Sequence, residues 1–274
     1  MINLKKIIIS FLILINYTAI AGSMGELITS NRFYLGIEGG NSISTNTHFQ
    51  PTITYPSSQV FIFTNPENTD WTRDISAAGL GGVFVGYKWN QNVAVQFDYS
   101  YRGNYNWNTL VTEADSVFAP SIYYRFKAGN IQIQTFLIDL SLKPSVNWGG
   151  LVPYIKMGIG ASYNKNNGLL VINIPVGGNA LSENSLVTGK YNTNVAWNAG
   201  LGADYYFNNQ FSISFGYRFV DAGKLSTGSN FVNALTGLAS TVSPFEAQHI
   251  YLNEVLFTAT YHFDGSAKLF KLRQ

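Results

Sequence analysis

The chain has 274 residues, a net charge of +2 and no cysteine, and 12% of its residues are charged. Soluble domains carry about 25% charged residues, yet the mean hydropathy of +0.05 is too low for a bundle of membrane-spanning helices. The lack of cysteine excludes disulfide scaffolds and thiolate sites, and the balanced charge argues against a nucleic-acid partner. With 15% aromatic residues and 26 glycines, the composition favours a β-protein that faces lipid.

The N-terminal segment has the three parts of a secretory signal. Lys5 and Lys6 give a positive start, residues 7–15 are apolar, and residues 19–21 (Ala-Ile-Ala) fit a small-x-small cleavage site. The apolar run is shorter than the roughly 18–20 residues of a spanning helix. We therefore expect residues 1–21 to be a cleaved signal peptide.

From residue 32 onward, apolar and polar residues alternate with a period of two, which is typical of a strand with one apolar and one polar face. Odd positions from 211 to 219 are Phe, Ile, Phe, Tyr and Phe, and the even positions between them are Ser, Ser, Gly and Arg. Eight segments have this pattern: Arg32–Ser42, Ala78–Trp89, Val93–Tyr105, Ile131–Lys143, Leu151–Tyr163, Asn194–Phe207, Phe211–Asp221 and Asn253–Phe263.

The length of these segments separates a membrane barrel from a soluble sandwich. Strands of soluble proteins cluster near 5–6 residues, whereas a tilted membrane-spanning strand needs roughly 9–11. Backbone groups find no partner in lipid, so a sheet there must close on itself, and about eight strands give a barrel filled by its own side chains. We predict an all-β fold, an eight-stranded antiparallel up-and-down transmembrane β-barrel over residues 22–263.

The connections between the segments alternate in length. Three are short, at residues 90–92, 144–150 and 208–210, and four are long, at about residues 43–77, 106–130, 164–193 and 222–252. Short periplasmic turns that alternate with long extracellular loops are typical of bacterial outer-membrane barrels. Both ends of the barrel chain are then expected in the periplasm, including a short tail at residues 264–274.

Three features carry a resemblance to a known family: the signal peptide, the strand Phe215–Phe219 (Phe-Gly-Tyr-Arg-Phe) and the aromatic strand Phe257–Phe263. With these features the chain resembles the OmpA-like or opacity-type eight-stranded outer-membrane barrels, which are small porin-like surface antigens. The resemblance implies a bacterial outer-membrane location and contact with outer-membrane lipid and lipopolysaccharide. It also implies that the barrel-assembly machinery reads Phe257, Tyr261 and Phe263. We expect no cofactor.

Charged residues at inward positions are the first candidate for function. The alternation directs five acids and five bases into the lumen: Glu38, Asp98, Asp139, Asp204, Glu254, Lys88, Arg102, Lys143, Lys156 and Arg218. Because unpaired charge in a narrow lumen is costly, we expect paired charges that plug the barrel, with Arg218 facing Glu38, Asp98 and Asp139 at mid-height. The alternative is a narrow porin-like channel for ions or small solutes.

The fourth segment changes phase near its start. Positions 136, 138, 140 and 142 are apolar and are expected to face lipid, but Ile131 and Ile133 interrupt this alternation. We interpret that part as a loop or as a strand extension outside the membrane.

Enzymatic and metal sites have little support. The three histidines are His48 and His249 in long loops and His262 at the periplasmic end. A triad of His249 with Ser243 and Glu246 could make a lipid-modifying enzyme, but no nucleophile motif surrounds these residues, and no paired metal-ligand spacing occurs. We predict neither catalysis nor a metal.

The long loops are the second candidate for function, because exposed aromatic residues are reasonable anchors for a host surface or another envelope ligand. A sugar could stack on the aromatics of residues 104–108 (Asn-Tyr-Asn-Trp-Asn), and a short helix could hold Phe231, Leu235 and Leu238. The first loop carries His48, Phe49, Tyr55, Phe61, Phe63 and Trp71. A structural or adhesin-like surface role is the predicted function.

Overall fold

The computed structural model describes residues 32–45, 47–51, 75–112, 122–145, 148–175, 184–233 and 237–263. All eight predicted segments are strands. Their bounds are β1 (Phe33–Thr45), β2 (Ala77–Lys88), β3 (Val93–Thr112), β4 (Ile122–Leu142), β5 (Leu151–Pro175), β6 (Asn184–Tyr206), β7 (Phe211–Asp221) and β8 (Tyr251–His262). The signal peptide at residues 1–21 and the tail at residues 264–274 lie outside the described residues.

The eight strands close into a ring. Each strand pairs antiparallel with the next one along the chain, from β1 to β8. The ring closes because β8 also pairs with β1, from Tyr34 opposite His262 to Thr45 opposite Tyr251. The prediction of an eight-stranded antiparallel up-and-down barrel is confirmed, and in this ring neither end strand is left with an open edge.

The two tightest turns use an asparagine side chain in the same way. The Asn90 Oδ1 accepts the backbone N–H groups of Asn92 and Val93, both at 2.8 Å. In the turn between β6 and β7, Asn208 Oδ1 accepts those of Gln210 and Phe211, again at 2.8 Å. An asparagine that bonds its own backbone two or three residues ahead stabilises a tight turn, which explains why these connections are short.

The central four strands are much longer than a membrane requires. Strands β3, β4, β5 and β6 have 20, 21, 25 and 23 residues, against the roughly 9–11 that span a bilayer. The described parts of the loops predicted at residues 106–130 and 164–193, namely 106–112, 122–130, 164–175 and 184–193, are strand, and the loop prediction was wrong for them. At about 3.3 Å per residue, the added strand length projects well beyond the end of the barrel that lies opposite the short turns.

The polarity of the two faces inverts along these strands. In the part where all eight strands pair, which we call the barrel segment, apolar side chains such as Val83, Phe97, Ile138 and Ile159 point outward and are about half exposed. Charged side chains fill its interior. Above it, the extended strands together with residues 47–51 and 222–250 form a unit that we call the head, in which apolar side chains point inward and are buried.

Strand β4 shows the inversion within one element. Ile131 and Ile133 are fully buried in the head core, and the inward series continues through Leu137 and Asp139 without a break. The expectation that these isoleucines interrupt the alternation was wrong, because the interior itself changes from charged to apolar. The expectation that the strand extends beyond the membrane-spanning length agrees with the structure.

A pair of bulges marks the change from barrel segment to head. Asn104 and Asn130 have positive φ angles of 68° and 57°, a conformation that asparagine tolerates better than most residues. The register of β3 against β4 shifts on either side of Tyr105. Bulges bend and twist a strand and re-aim its side chains.

The fourth long connection folds into the head rather than lying over it. Phe231 is buried and pairs through its backbone with Val187 of β6, in a short strand at Asn230–Val232. The suggested helix is wrong for the described residues of that stretch, and Leu235 lies outside them. The ring of Phe245 contacts those of Phe49 and Phe126, with centroids 6.1 and 5.4 Å apart.

Candidate functional site

The interior of the barrel segment is the first candidate site. The ten charged side chains predicted there all point inside, and seven of them are classed as buried residues: Glu38, Asp98, Arg102, Asp139, Asp204, Arg218 and Glu254. Lys88, Lys143 and Lys156 are partly exposed. They form an upper and a lower cluster.

Arg218 of β7 is the centre of the upper cluster. Its guanidinium donates to Glu38 of β1 at 2.9 and 3.3 Å, and its Nε donates to Glu254 of β8 at 2.7 Å. A third carboxylate, that of Asp98 of β3, lies 3.5 Å away. Arg218 thus joins four strands around the ring, and its side chain is only 1% exposed.

Arg102 of β3 completes this cluster. It forms a bidentate pair with Glu254 and donates to the Thr135 hydroxyl at 3.0 Å. The hydroxyl of Ser42 donates to the same glutamate at 3.0 Å. Since charge-assisted bidentate bonds are the strongest side-chain hydrogen bonds, the two arginines and their carboxylates hold the strands in one arrangement.

The predicted partners of Arg218 need one correction. Asp139 does not contact Arg218; its carboxylate lies 3.3 Å from the Lys156 ammonium and accepts from Asn198 at 2.7 Å. Glu254 takes the place that was expected for Asp139. A side chain at position 158 would collide with the Asp139 carboxylate at 1.8 Å, so Gly158 provides the room for this pair.

The lower cluster lies at the periplasmic end. Lys143 forms an ion pair with Asp204 and donates to the Tyr206 hydroxyl at 3.2 Å. Ser214 also donates to Asp204. The ammonium group of Lys88 lies 5.6 Å from the centre of the Tyr206 ring.

Neutral residues of the network were not singled out from the sequence. The Ser100 hydroxyl lies 2.7 Å from both the Glu38 and the Asp98 carboxylates, and Gln96 donates to Asp98 at 3.3 Å. The same period-two pattern places Ser100 and Gln96 on the inward face of β3. Their even-numbered positions, shared with Asp98 and Arg102, were therefore the sequence signal that could have identified them.

The histidines do not assemble the suggested triad. The Nδ1 of His249 lies 3.0 Å from Asp221, while Glu246 pairs with Lys224 at 2.7 Å. His262 is buried inside the lower end, 2.9 Å from the Ser212 hydroxyl. The combination of Ser243, Glu246 and His249 was therefore wrong.

The proposed sugar-stacking aromatics are also placed differently. Tyr105 and Trp107 are buried in the head core, with exposures of 0% and 1%, so neither ring offers a face to a sugar. Phe49 of the first loop is equally buried and packs edge-on against Trp107 at 5.0 Å. Tyr55, Phe61, Phe63 and Trp71 lie outside the described residues, and His48 is exposed.

The aromatic stripe of β8 lies on the outer face of the barrel. Phe257 is 63% exposed and contacts Phe215 of β7 at 5.0 Å. Tyr261 and Phe263 contact each other at 5.1 Å, and the Phe263 N–H donates to the Phe33 carbonyl at 2.9 Å. That the assembly machinery reads these rings remains a prediction.

Comparison with known proteins gives a family. The family model described as "Outer membrane protein beta-barrel domain" matches residues 29–263. Outer membrane protein PagN of Salmonella typhimurium is 27% identical over 161 residues, which cover 55% of this chain and 60% of PagN. The alignment thus covers less than two thirds of that relative's length.

Solved structures with a similar outline have low sequence identity. Neisserial surface protein A is 11% identical with a TM-score of 0.42, covering 84% of this chain and 97% of its own. OprG from Pseudomonas aeruginosa is 12% identical with a TM-score of 0.42, covering 85% and 98%.

Proposed function

This chain belongs to the outer membrane protein β-barrel family, and on that premise we propose that it displays an adhesive head on the bacterial surface above a plugged lumen. The protein is a bacterial outer-membrane β-barrel protein, with its short turns on the periplasmic side and its head outside the cell.

Two layers support a closed lumen. The upper charge cluster joins side chains from opposite sides of the ring through Arg218 and Arg102, with bonds of 2.7–3.3 Å to Glu38 and Glu254. Above it lies the head core, a cluster of apolar side chains that are almost fully buried. An ion would have to cross both layers, and the apolar layer offers no substitute for its hydration shell. This observation favours a plug over a channel.

The charge of the head supports binding to an acidic partner. On the extended parts of the four long strands (residues 104–112, 122–134, 163–175 and 184–193), every charged residue is basic. Arg125, Lys127 and Lys190 are exposed, and Lys165 is partly exposed. Glu246, elsewhere in the head, is paired with Lys224 at 2.7 Å, and the basic side chains of the strand extensions attract partners of opposite charge and speed their encounter. This basic face is the single observation that carries the adhesive proposal.

The described histidines do not support an enzyme that acts at the outer rim: His262 is bonded to the Ser212 hydroxyl at 2.9 Å, but this pair is buried at the periplasmic end. His249 is held by Asp221 and stacks on Tyr251 with the rings 5.5 Å apart, and no serine hydroxyl is hydrogen-bonded to it among the described contacts. We therefore propose a binding protein and not a lipid-modifying enzyme.

Reversing the charge of two exposed head residues tests the adhesive role. In a deletion strain, the double variant Arg125→Glu/Lys127→Glu should adhere to host cells about tenfold less than wild type, because complementary charge drives the encounter. The matched control, Arg125→Lys/Lys127→Arg, keeps the charge and should adhere as wild type. Equal surface amounts are verified by the heat-dependent gel shift of the barrel. Unchanged adhesion of the reversed variant would contradict the proposal.

A further inference from the structure

The lower cluster, at the periplasmic end of the lumen, is a layer of side chains from alternate strands. Lys88 ends β2, Lys143 follows β4, Tyr206 ends β6 and His262 ends β8. All of them meet at the Tyr206 ring: the Lys88 and Lys143 ammonium groups lie 5.6 and 5.8 Å from its centre, and the His262 ring stacks on it at 5.5 Å. This layer is separate from the Arg218 cluster and from the head.

The layer has more positive than negative charge. Asp204 is paired with Lys143, and no carboxylate of the described residues forms an ion pair with Lys88. The two ammonium groups therefore face one carboxylate. Each ammonium has three N–H donors, and those of Lys88 make no hydrogen bond to a described side chain. The layer can supply donors and positive charge to a further anionic group.

His262 adds a second, independent observation. Its ring is 2% exposed, its Nε2 is bonded to Ser212 at 2.9 Å, and its Nδ1 has no hydrogen-bond partner among the described residues. Buried polar atoms without a partner are rare in native proteins, and each one calls for an explanation. A bound ligand beside the Tyr206 ring would provide one.

We propose that Lys88, Lys143 and His262 bind a small oxyanion that enters the lumen from the periplasm. A phosphate or carboxylate group fits, because its oxygens accept charge-assisted bonds from the free ammonium donors and one from an imidazole N–H. The rings of Tyr34 and Tyr206 flank His262 at 5.8 and 5.5 Å, so the ligand group must be small. The site goes beyond the adhesive function and does not depend on it.

Titration with inorganic phosphate tests the site directly. The full-length protein is refolded in detergent, ionic strength is held constant with sodium chloride, and the imidazole resonances are followed by NMR. The variants His48→Gln and His249→Gln assign the His262 signal by elimination. The His262 resonance should shift saturably with phosphate. In Lys88→Met the midpoint should rise at least about tenfold, as expected for loss of a charge-assisted contact.

A matched lysine controls for general effects of charge. Lys224 pairs with Glu246 at 2.7 Å in the head, remote from the periplasmic layer, and Lys224→Met should respond to phosphate as wild type. A second titration with acetate distinguishes the ligand classes: a tighter response with the same dependence on Lys88 assigns a carboxylate.

Three results would overturn the site. The first is no saturable shift of His262 with either anion, and the second is an equal shift in Lys88→Met and wild type. The third is a response weakened in Lys224→Met as much as in Lys88→Met, since that result would mean that the shift reports the overall positive charge of the protein and not a site.

Discussion

Replacing Arg218 by alanine should lower the free energy of unfolding of the barrel by about 3–5 kcal/mol, the cost of leaving a buried charge unpaired. Arg218 makes hydrogen bonds to Glu38 and Glu254, and both carboxylates are almost fully buried. Without the guanidinium, the upper cluster would keep three carboxylates, those of Glu38, Asp98 and Glu254, and one arginine, Arg102. The measurement is the thermal transition of detergent-refolded protein, followed by the gel shift and by circular dichroism at 218 nm, roughly the minimum of β-structure.

Two controls make this result specific. Arg218→Lys keeps the charge but loses the bidentate geometry, so it should fall between wild type and alanine. Arg125→Ala removes an exposed arginine of the head and should leave the transition unchanged. If Arg218→Ala unfolds at the same temperature as wild type, the interior is hydrated and its charges are screened. That result would contradict the plug.

Replacing Trp107 by alanine should unfold the head while the barrel segment stays intact. Trp107 is 1% exposed and packs against Phe49 in the head core, and truncation of a buried tryptophan costs about 3–5 kcal/mol. The barrel segment is held by its own closed hydrogen-bond ring and by the charge clusters. We therefore expect rapid cleavage of the head by protease on whole cells, together with an unchanged gel shift of the remaining barrel.

Trp148 provides the matched control for Trp107. It lies in the turn before β5 and is 65% exposed, so Trp148→Ala removes the same side chain without opening a cavity. Its protease pattern should equal that of wild type. If Trp107→Ala is as resistant as wild type, the head has no cooperative core. If both variants lose the gel shift, head and barrel unfold as one unit.

The barrel segment could be predicted because one sequence signal, the alternation of apolar and polar residues, determines it. Strand β7 runs over Phe211–Asp221, as predicted, since its apolar side chains at the odd positions from 211 to 217 are exposed on the outer face and both ends have strong turn or polar signals. Lipid on one side and a polar lumen on the other make the alternation strong over about ten residues. Closure then follows from the need to pair every backbone group.

The head was missed because its pattern has the opposite sense. Asn104 and Asn106 are exposed while Tyr105 and Trp107 are buried. This polar outer face and aromatic inner face were interpreted from the sequence as a loop whose aromatic residues are exposed. The same confusion affected Ile131 and Ile133. Only the packing of residues 222–250 into the interior makes these positions buried, and such long-range packing leaves little local sequence signal.

The alternation of the strands predicts which charged side chains point into the interior, but it does not predict which of them form pairs. Alternation places a side chain inside the ring without fixing its height relative to a strand several positions away. That height depends on the stagger between neighbouring strands. For this reason Glu254, opposite Arg218 in the β7–β8 register, is its partner in place of Asp139.

Conductance across a planar lipid bilayer tests the closed lumen most directly. The refolded wild-type protein is delivered to the bilayer from lipid vesicles at known orientation and density. The gel shift of protein recovered from these vesicles verifies its insertion. In the proposed plug, the Arg218 cluster and the head core lie across the path, and we therefore predict no steady current above that of the bare bilayer. Steady single-channel current through the wild-type protein would contradict the plug and establish a channel in its place.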